Sequence, residues 1–312
     1  MTSASLIVIN WNGAAFLAAC LEALLEQVTA KDEIIVVDND STDHSIELVR
    51  ARFPGVRVLC NRRNRGYAGG ANTGLRAARG DALVLLNPDV EARAGWLAAL
   101  KAALKDTQVG VAGCKLYYPG GDVIQHAGGI TRFPQATADH HGYRQHDDGQ
   151  WDQEREVDYV TGAALALRRD ILDAVGFFDE GFYPAYYEEA DYCFRARQAG
   201  YGVRYVPQAV ATHHEHAALG EESYHYLRYF HRNRLRFVLK HRGPGYFLDD
   251  FMPAELDWLK KAPLRVRYVL NNAYLDVMLD YPKHHLDQSE VNAVLQALND
   301  LRDALKEGQT YV

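Results

Sequence analysis

The chain has 312 residues, 48% hydrophobic and 24% charged, enough for one large α/β domain with an appendage or for two modest domains. A formal net charge of −7 argues against general nucleic-acid binding, which carries a basic excess. The four cysteines (Cys20, Cys60, Cys114, Cys193) form no CxxC pair and read as reduced thiols of a cytoplasmic protein. Met1 leads directly into strand-like sequence, so no signal peptide is expected, and no apolar run approaches the roughly 18 residues a membrane helix needs.

In chain order, Ser5 to Asn10 (SLIVIN) reads as a buried strand, followed by the turn Trp11-Asn12-Gly13. Phe16, Leu17, Leu21, Leu24 and Leu25 recur at helical spacing over Ala14 to Gln27. A second strand, Glu33 to Asp38, runs into the cap-rich Asn39-Asp40-Ser41-Thr42-Asp43 and a helix that stops before Pro54. Val56 to Cys60 is a third strand, Asn61 to Gly70 a basic glycine-rich loop, and Ala71 to Arg79 a short helix. The unbroken apolar run Leu83 to Leu86 fits a central parallel strand covered on both faces, and Asn87-Pro88-Asp89 ends it because proline cannot donate to a ladder. Strands alternating with helices imply a mostly parallel, right-handed βαβ sheet.

Beyond the helix Trp96 to Leu104 and the strand Val109 to Cys114 the alternation breaks. Tyr117 to Trp151 reads as irregular excursions around a site. Val157 to Leu167 and Tyr201 to Val206 read as strands, Arg169 to Val175 and Glu188 to Gln198 as helices. A long helix from Glu221 to Lys240 precedes a break at Gly243-Pro244-Gly245, and an acidic, helical tail follows. The expected division is a catalytic domain over 1–242 and a helical extension over 243–312.

Ligands of open α/β sheets bind at the carboxyl ends of the strands. The first strand is followed by neither the G-x-G-x-x-G turn nor a phosphate loop, which weakens two common nucleotide-binding classes. Asp38, at the end of the second strand, is placed to accept from a base or ribose, or else serves as a turn residue. The loop around Arg65, Gly66 and Asn72 offers backbone N–H groups, a guanidinium and an aromatic ring, suited to an anionic ring-bearing ligand. Asp89 could hold a divalent cation.

Glu188, Glu189 and Asp191 crowd one helical turn. Acids there complement the helix dipole, yet crowding also raises a carboxyl pKa toward that of a general base. The aromatic run Phe182 to Tyr187, with Tyr186 and Tyr187 nearest, would offer sugars a stacking wall. In His213-His214-Glu215-His216 one imidazole could ligate a metal, although the spacing is not that of a zinc hydrolase. Arg228, Arg232, Arg236 and Lys240 recur at i, i+4 along one helix face, either a solvated stripe or a surface for a diphosphate, the acceptor or anionic lipid headgroups.

Taken in order, IVINWNG, VVDNDSTD, NRGYAGGANTG, LVLLNPDV and TGAALALRRDIL, then VGFFDEGFYPAYYEEADYCFRARQAGY and more loosely AVATHH and YFHRNRL, resemble the family 2 glycosyltransferases of GT-A fold, in particular their rhamnosyltransferase-like branch. The resemblance covers roughly residues 5 to 240. It implies a Rossmann-like α/β sheet flanked by helices with a C-terminal helical appendage.

By the same resemblance, Asn10, Asn12, Asp38, Arg65, Gly66, Asn72 and Asn87 would hold the nucleotide. Asp89, with His213, would hold Mg²⁺ or Mn²⁺. Glu189 would be the base, with Glu188 or Asp191 sharing the role. From their own chemistry, apart from the resemblance, Tyr186, Tyr187 and Arg232 are expected to meet the acceptor. The expected reaction is inverting transfer of a sugar, such as rhamnose, from a UDP- or dTDP-sugar to a hydroxyl of a glycan or lipid-linked acceptor in bacterial surface polysaccharide synthesis. The expected setting is the cytoplasm, with peripheral contact at the inner face of the membrane and a homodimer through the C-terminal helices. Two rivals are a nucleotide-sugar pyrophosphorylase, which would want a glycine-rich triphosphate loop where Asn-Trp-Asn-Gly stands, and a catalytically silent nucleotide-sugar-binding module, which would be expected to have lost an acid of the 188–191 run.

Overall fold

The computed structural model describes residues 3–214 and 223–307. It resolves into two compact units, Met1–Thr131 with Ala138–Ala218, and Arg132–Thr137 with Leu219–Val312.

The first unit opens with β1 (Ala4–Asn10), α1 (Leu17–Leu25), β2 (Glu33–Asp38), α2 (Ser45–Arg52), β3 (Arg57–Cys60), α3 (Gly66–Ala77) and β4 (Ala82–Leu86). Next come β5 (Val90–Ala92), α4 (Trp96–Ala103), β6 (Val109–Tyr117), β7 (Ile124–His126), β8 (Gly129–Arg132) and β9 (Thr137–His140). The series ends with β10 (Arg155–Glu156), β11 (Ala164–Arg168), α5 (Ile171–Val175), α6 (Glu188–Gln198) and β12 (Gly202–His213). The main sheet runs β3-β2-β1-β4-β11-β6-β12-β10. Strands β1 to β4 are mutually parallel, as are β6 and β12, while β11 runs against both its neighbours.

All seven residues of β1 and all five of β4 are buried, because helices cover both faces. Leu6, Val8, Val36 and Val84 join Leu17, Leu21 and Leu24 of α1 and Trp96 and Leu100 of α4 in one core. The alternate residues Ile7 and Val37 point to the other face, under α3. There Gly74 explains the glycine content of the segment expected to be a loop. A Cβ on Gly74 would stand 2.2 Å from Ile7 Cγ2 and 3.1 Å from Val37 Cγ2, so the helix needs glycine to lie this close to the sheet. The segment is therefore mostly helix from Gly66 onward, rather than a loop to Gly70.

Further boundaries differ from expectation: β6 runs on to Tyr117 rather than ending at Cys114, and the stretch from Tyr117 to Trp151 carries β7, β8 and β9. Only Ala164–Arg168 of the run from Val157 joins the sheet as β11, since Tyr159 turns aside to bridge Gly129. The last strand, β12, runs on to His213, with register shifts between Val206 and Val210.

The second unit is helical: α7 (Tyr224–Tyr246), α8 (Met252–Leu259), α9 (Leu264–Asp280) and α10 (Gln288–Glu307). The sequence division at 242/243 falls within α7, where Gly243 takes a non-helical φ of 79° before Pro244. Glu221, the expected start of this helix, lies outside the described residues; Ser223 caps it through its hydroxyl. Arg234 and Glu255, 1% and 0% exposed at their side chains, form a fork that also receives Gln135 Nε2 at 2.7 Å and Tyr274 Oη–H at 2.8 Å.

The basic stripe is not free. Arg228 grips both oxygens of Asp276, at 2.8 and 2.7 Å, and Arg236 reaches Asp280 at 3.3 Å. Arg232 lies over the Tyr229 ring and donates to Asn233 Oδ1. Half of the expected acceptor- or lipid-facing charge is thus neutralised by α9, which no local reading of α7 reveals. Among the described residues, no helix is long and apolar enough to cross a membrane.

Candidate active site

The C-terminal ends of β1, β2 and β4 converge because their parallel register aligns Asn10 with Asp38 and Val8 with Leu86. Asn10, fully buried, donates from Nδ2 to Asp38 Oδ1 (3.1 Å), Ser41 Oγ (3.1 Å) and Ser45 Oγ (2.9 Å). Asn12, with a left-handed φ of 53°, accepts from the Thr42 and Asp43 N–H groups, so the turns after β1 and β2 form one bonded rim. Asn10, Asn12 and Asp38 are brought together as expected. Asn10 Oδ1 is buried without a hydrogen bond.

The loop after β4 is tied from both sides. Asn87 N–H donates to Ala163 O at 2.9 Å, and β5, immediately after Asp89, pairs with β12 so that Val90 stands opposite His213. This pairing sets His213 Nε2 at 3.3 Å from Asp89 Oδ1, both side chains being about nine-tenths buried. The contact lacks hydrogen-bond alignment: Asp89 Oδ1 has no hydrogen-bond partner. His213 Nδ1 instead lies 2.7 Å from Gln125 Oε1. His214 is taken up by Glu91 at 2.9 Å. Glu215 and His216 lie outside the described residues.

The spacing and chemistry of Asp89 and His213 fit a divalent cation. Neighbouring ligands on an octahedral ion with bonds of about 2.1 Å stand about 3 Å apart, and a buried carboxylate oxygen without a donor is a ready ligand. Among the described residues no group of three or more His, Cys, Asp or Glu side chains is placed to hold a metal ion. Such an ion would therefore draw its remaining ligands from water and bound phosphate, as Mg²⁺ commonly does.

The acid run opens α6 behind two residues with left-handed backbone, Tyr186 (φ 79°) and Tyr187 (φ 71°), a costly conformation for non-glycine residues. Asp191, fully buried, accepts from Arg195 Nε at 2.9 Å, and Arg195 in turn donates to the Val175 and Phe177 carbonyls. Asp191 thereby braces α6. Burial, and then the neighbouring Glu189 charge, push the Glu188 carboxyl well above the ordinary range. Burial raises Glu189 too, but N–H groups of its own residue, Gly162 and Ala190 favour its carboxylate. The N–H groups of Gly162 and Ala190 reach Glu189 and not Glu188, which favours the carboxylate form at Glu189.

Gly162 links this acid to the rest of the site. It adjoins Ala163, which holds Asn87, and its carbonyl accepts Tyr67 Oη–H at 2.6 Å. Tyr187 is nearly buried and its hydroxyl accepts from Ala138 N–H, so it supports the wall rather than presenting a free ring; Tyr186 is half-buried.

Two expected nucleotide ligands are committed elsewhere. Arg65 forks onto Glu180 at 2.8 and 2.9 Å. Asn72 donates to Phe178 O and Glu180 Oε1 and accepts from Phe178 N–H, pinning α3 to the segment before α6. Gly66 O accepts from Asn39 Nδ2 at 2.8 Å. Gln125, Gly162 and Glu180 were not singled out from sequence. The run Ile124-Gln125-His126-Ala127-Gly128-Gly129 carried only the signal of paired glycines, and it sits inside a segment without periodicity.

A mostly parallel sheet of this kind, covered by helices, is the architecture of the GT-A glycosyltransferases. The model of glycosyl transferase family 2 matches residues 5–176, and the chain belongs to that family. An N-acetylglucosaminyl-diphospho-decaprenol L-rhamnosyltransferase of Mycobacterium tuberculosis is 30% identical over 262 residues, 75% of this chain and 81% of that one. An uncharacterised protein of Sinorhizobium fredii is 33% identical over 216 residues, 66% of this chain, which spans only 24% of that longer protein. Among solved structures, GalNAc-T7 with UDP, GalNAc and Mn²⁺ superposes with a TM-score of 0.63 at 17% identity, over 79% of this chain and 50% of that one. A mannosyltransferase of Pyrobaculum calidifontis with GDP-Man and Mn²⁺ gives 0.52 at 17% identity, over 99% and 88%. The chain's similarity to the mycobacterial rhamnosyltransferase fits a rhamnosyltransferase-like branch of its family.

Proposed function

We propose that the chain transfers a sugar, with inversion, from a nucleoside diphosphate sugar to an acceptor hydroxyl in a reaction that needs Mg²⁺ or Mn²⁺. The observation that carries this reading is the buried Asp89 Oδ1, without a hydrogen bond and 3.3 Å from His213 Nε2, at the end of the central strand. The nucleoside would lie along the rim of Asn10, Asn12 and Asp38, with the diphosphate toward Asp89. A cation held by Asp89 and His213 supplies neutralisation of charge that develops on the departing diphosphate.

Glu189 takes the proton of the acceptor hydroxyl as that oxygen attacks the anomeric carbon from the face opposite the leaving group. Arg195 engages Asp191, and the Gly162 and Ala190 N–H groups favour the carboxylate form of Glu189, so Glu189 acts as the base. One base and one displacement suffice; no enzyme nucleophile is needed. The mycobacterial relative supports rhamnose as the sugar, and with it a dTDP- or UDP-linked donor and a glycan or lipid-linked acceptor.

Incubation with UDP-, dTDP- and GDP-sugars, with and without Mn²⁺, tests the reading through release of nucleoside diphosphate. Slow metal-dependent hydrolysis of one donor is expected. Release that is insensitive to metal removal, or none from any donor together with no binding of nucleotide, would overturn it.

A further inference from the structure

We propose that Gln125 is a positioning residue that fixes the tautomer of His213, so that Nε2 turns a lone pair rather than a proton toward Asp89. This builds on the metal reading of the Asp89–His213 pair and names the residue that prepares it.

Gln125 is 3% exposed and lies on the three-residue strand β7, which pairs with the end of β6 through Leu116 and His126. Its backbone carbonyl lies 3.3 Å from His140 Nδ1, while its side-chain Oε1 stands 2.7 Å from His213 Nδ1. With the amide oxygen on that side, which has only lone pairs to offer, Nδ1 carries the proton. A neutral imidazole protonated at Nδ1 leaves Nε2 as an acceptor, and Nε2 faces Asp89 Oδ1 at 3.3 Å.

Two buried lone pairs would then oppose each other with no donor between them, since Asp89 Oδ1 has no hydrogen bond. Such an arrangement is unfavourable by itself and becomes favourable when a cation is shared. The opposite amide orientation would donate to Nδ1 and place the proton on Nε2, against Asp89, in the way of any metal. Gln125 therefore decides between a metal-competent pair and a closed one. Its place in β7, 88 residues before His213, is set by the pairing of β7 with β6 rather than by β12, the strand that carries the histidine.

The test uses the full chain. Nitrogen–proton correlation spectra of the metal-free, ¹⁵N-histidine-labelled protein report which His213 nitrogen is protonated, with His213→Asn giving the assignment. Electron paramagnetic resonance of free Mn²⁺, titrated alone and with UDP, reports metal affinity for the parent, Gln125→Leu, Gln125→Glu and Asp89→Asn. The parent should carry its proton on Nδ1. Gln125→Leu should lose that preference and weaken Mn²⁺ binding by about 10- to 100-fold, while Gln125→Glu, which can accept the same N–H, should retain both.

A parent protonated at Nε2, or a Gln125→Leu variant with unaltered tautomer and Mn²⁺ affinity, would overturn the proposal. Equal Mn²⁺ binding by Asp89→Asn and the parent would sink the metal reading instead. In that case the nitrogen spectrum still decides what Gln125 does.

Discussion

Arg195 closes on Asp191 one turn along α6, Nε to Oδ2 at 2.9 Å, and this contact divides three crowded acids by task. Removing one partner of a buried ion pair leaves an uncompensated charge and typically costs about 3–5 kcal/mol. Asp191→Asn should therefore lower the unfolding midpoint. Glu189→Gln should leave the midpoint and nucleotide affinity near the parent's while turnover falls roughly 10²-fold or more. Thermal denaturation and steady-state rates on the same preparations separate the two. Near-parental turnover in Glu189→Gln would show that another group is the base.

The pH profile follows from the same turn. Glu189 must be ionised to accept a proton, and burial raises its carboxyl above 4.5. The rate should fall as pH drops through that raised pKa, placing the acid limb above the ordinary glutamate value. A limb at or below 4.5 in kcat/KM would contradict the assignment.

Glu188 gives a stability signature of opposite sense to the usual carboxylate. Its folded pKa lies well above 4.5, so the native state binds more protons than the unfolded chain once pH exceeds about that value. Stability is then lost as pH rises toward the folded pKa. Glu188→Gln preserves the neutral shape and removes this loss. The variant's melting temperature should exceed the parent's at pH 7 and match it near pH 4.

Asn72 braces the fold between α3 and the segment at Phe178, according to its bonding. Asn72→Ala strands the Phe178 amide groups and Glu180, at a cost of about 1–3 kcal/mol for such buried polar groups. A lower melting temperature with unchanged UDP affinity by calorimetric titration is expected. Lost affinity in a fully folded variant would return Asn72 to the nucleotide site.

In the helical unit, Glu255→Gln should destabilise strongly, because it leaves the Arg234 guanidinium buried without its counter-charge, again by roughly 3–5 kcal/mol. Denaturant unfolding of the full chain, monitored by Trp258 fluorescence, reads this directly, since Trp258 lies 5.8 Å from the Arg234 guanidinium. An unshifted midpoint would mean the network contributes nothing.

The sequence by itself determined the strands β1, β2 and β4, the acids at the start of α6 and the helical character of the tail. These rest on local rules: apolar runs, proline stops and helical spacing declare themselves within ten residues. The family could be read for the same reason, since its segments recur in fixed order. Tertiary structure alone decided which of those residues are available for chemistry. Arg65, Asn72 and Asp191 have the same functional groups as a ligand or a base, yet Glu180, Phe178 and Arg195 engage them. Arg228 and Arg236 form a stripe in sequence and salt bridges in space. Asp89 and His213 are 124 positions apart, and only the pairing of β5 with β12 places them 3.3 Å from each other. A side chain's chemistry is written in its own residue; whether that chemistry is free depends on what distant segments bring against it.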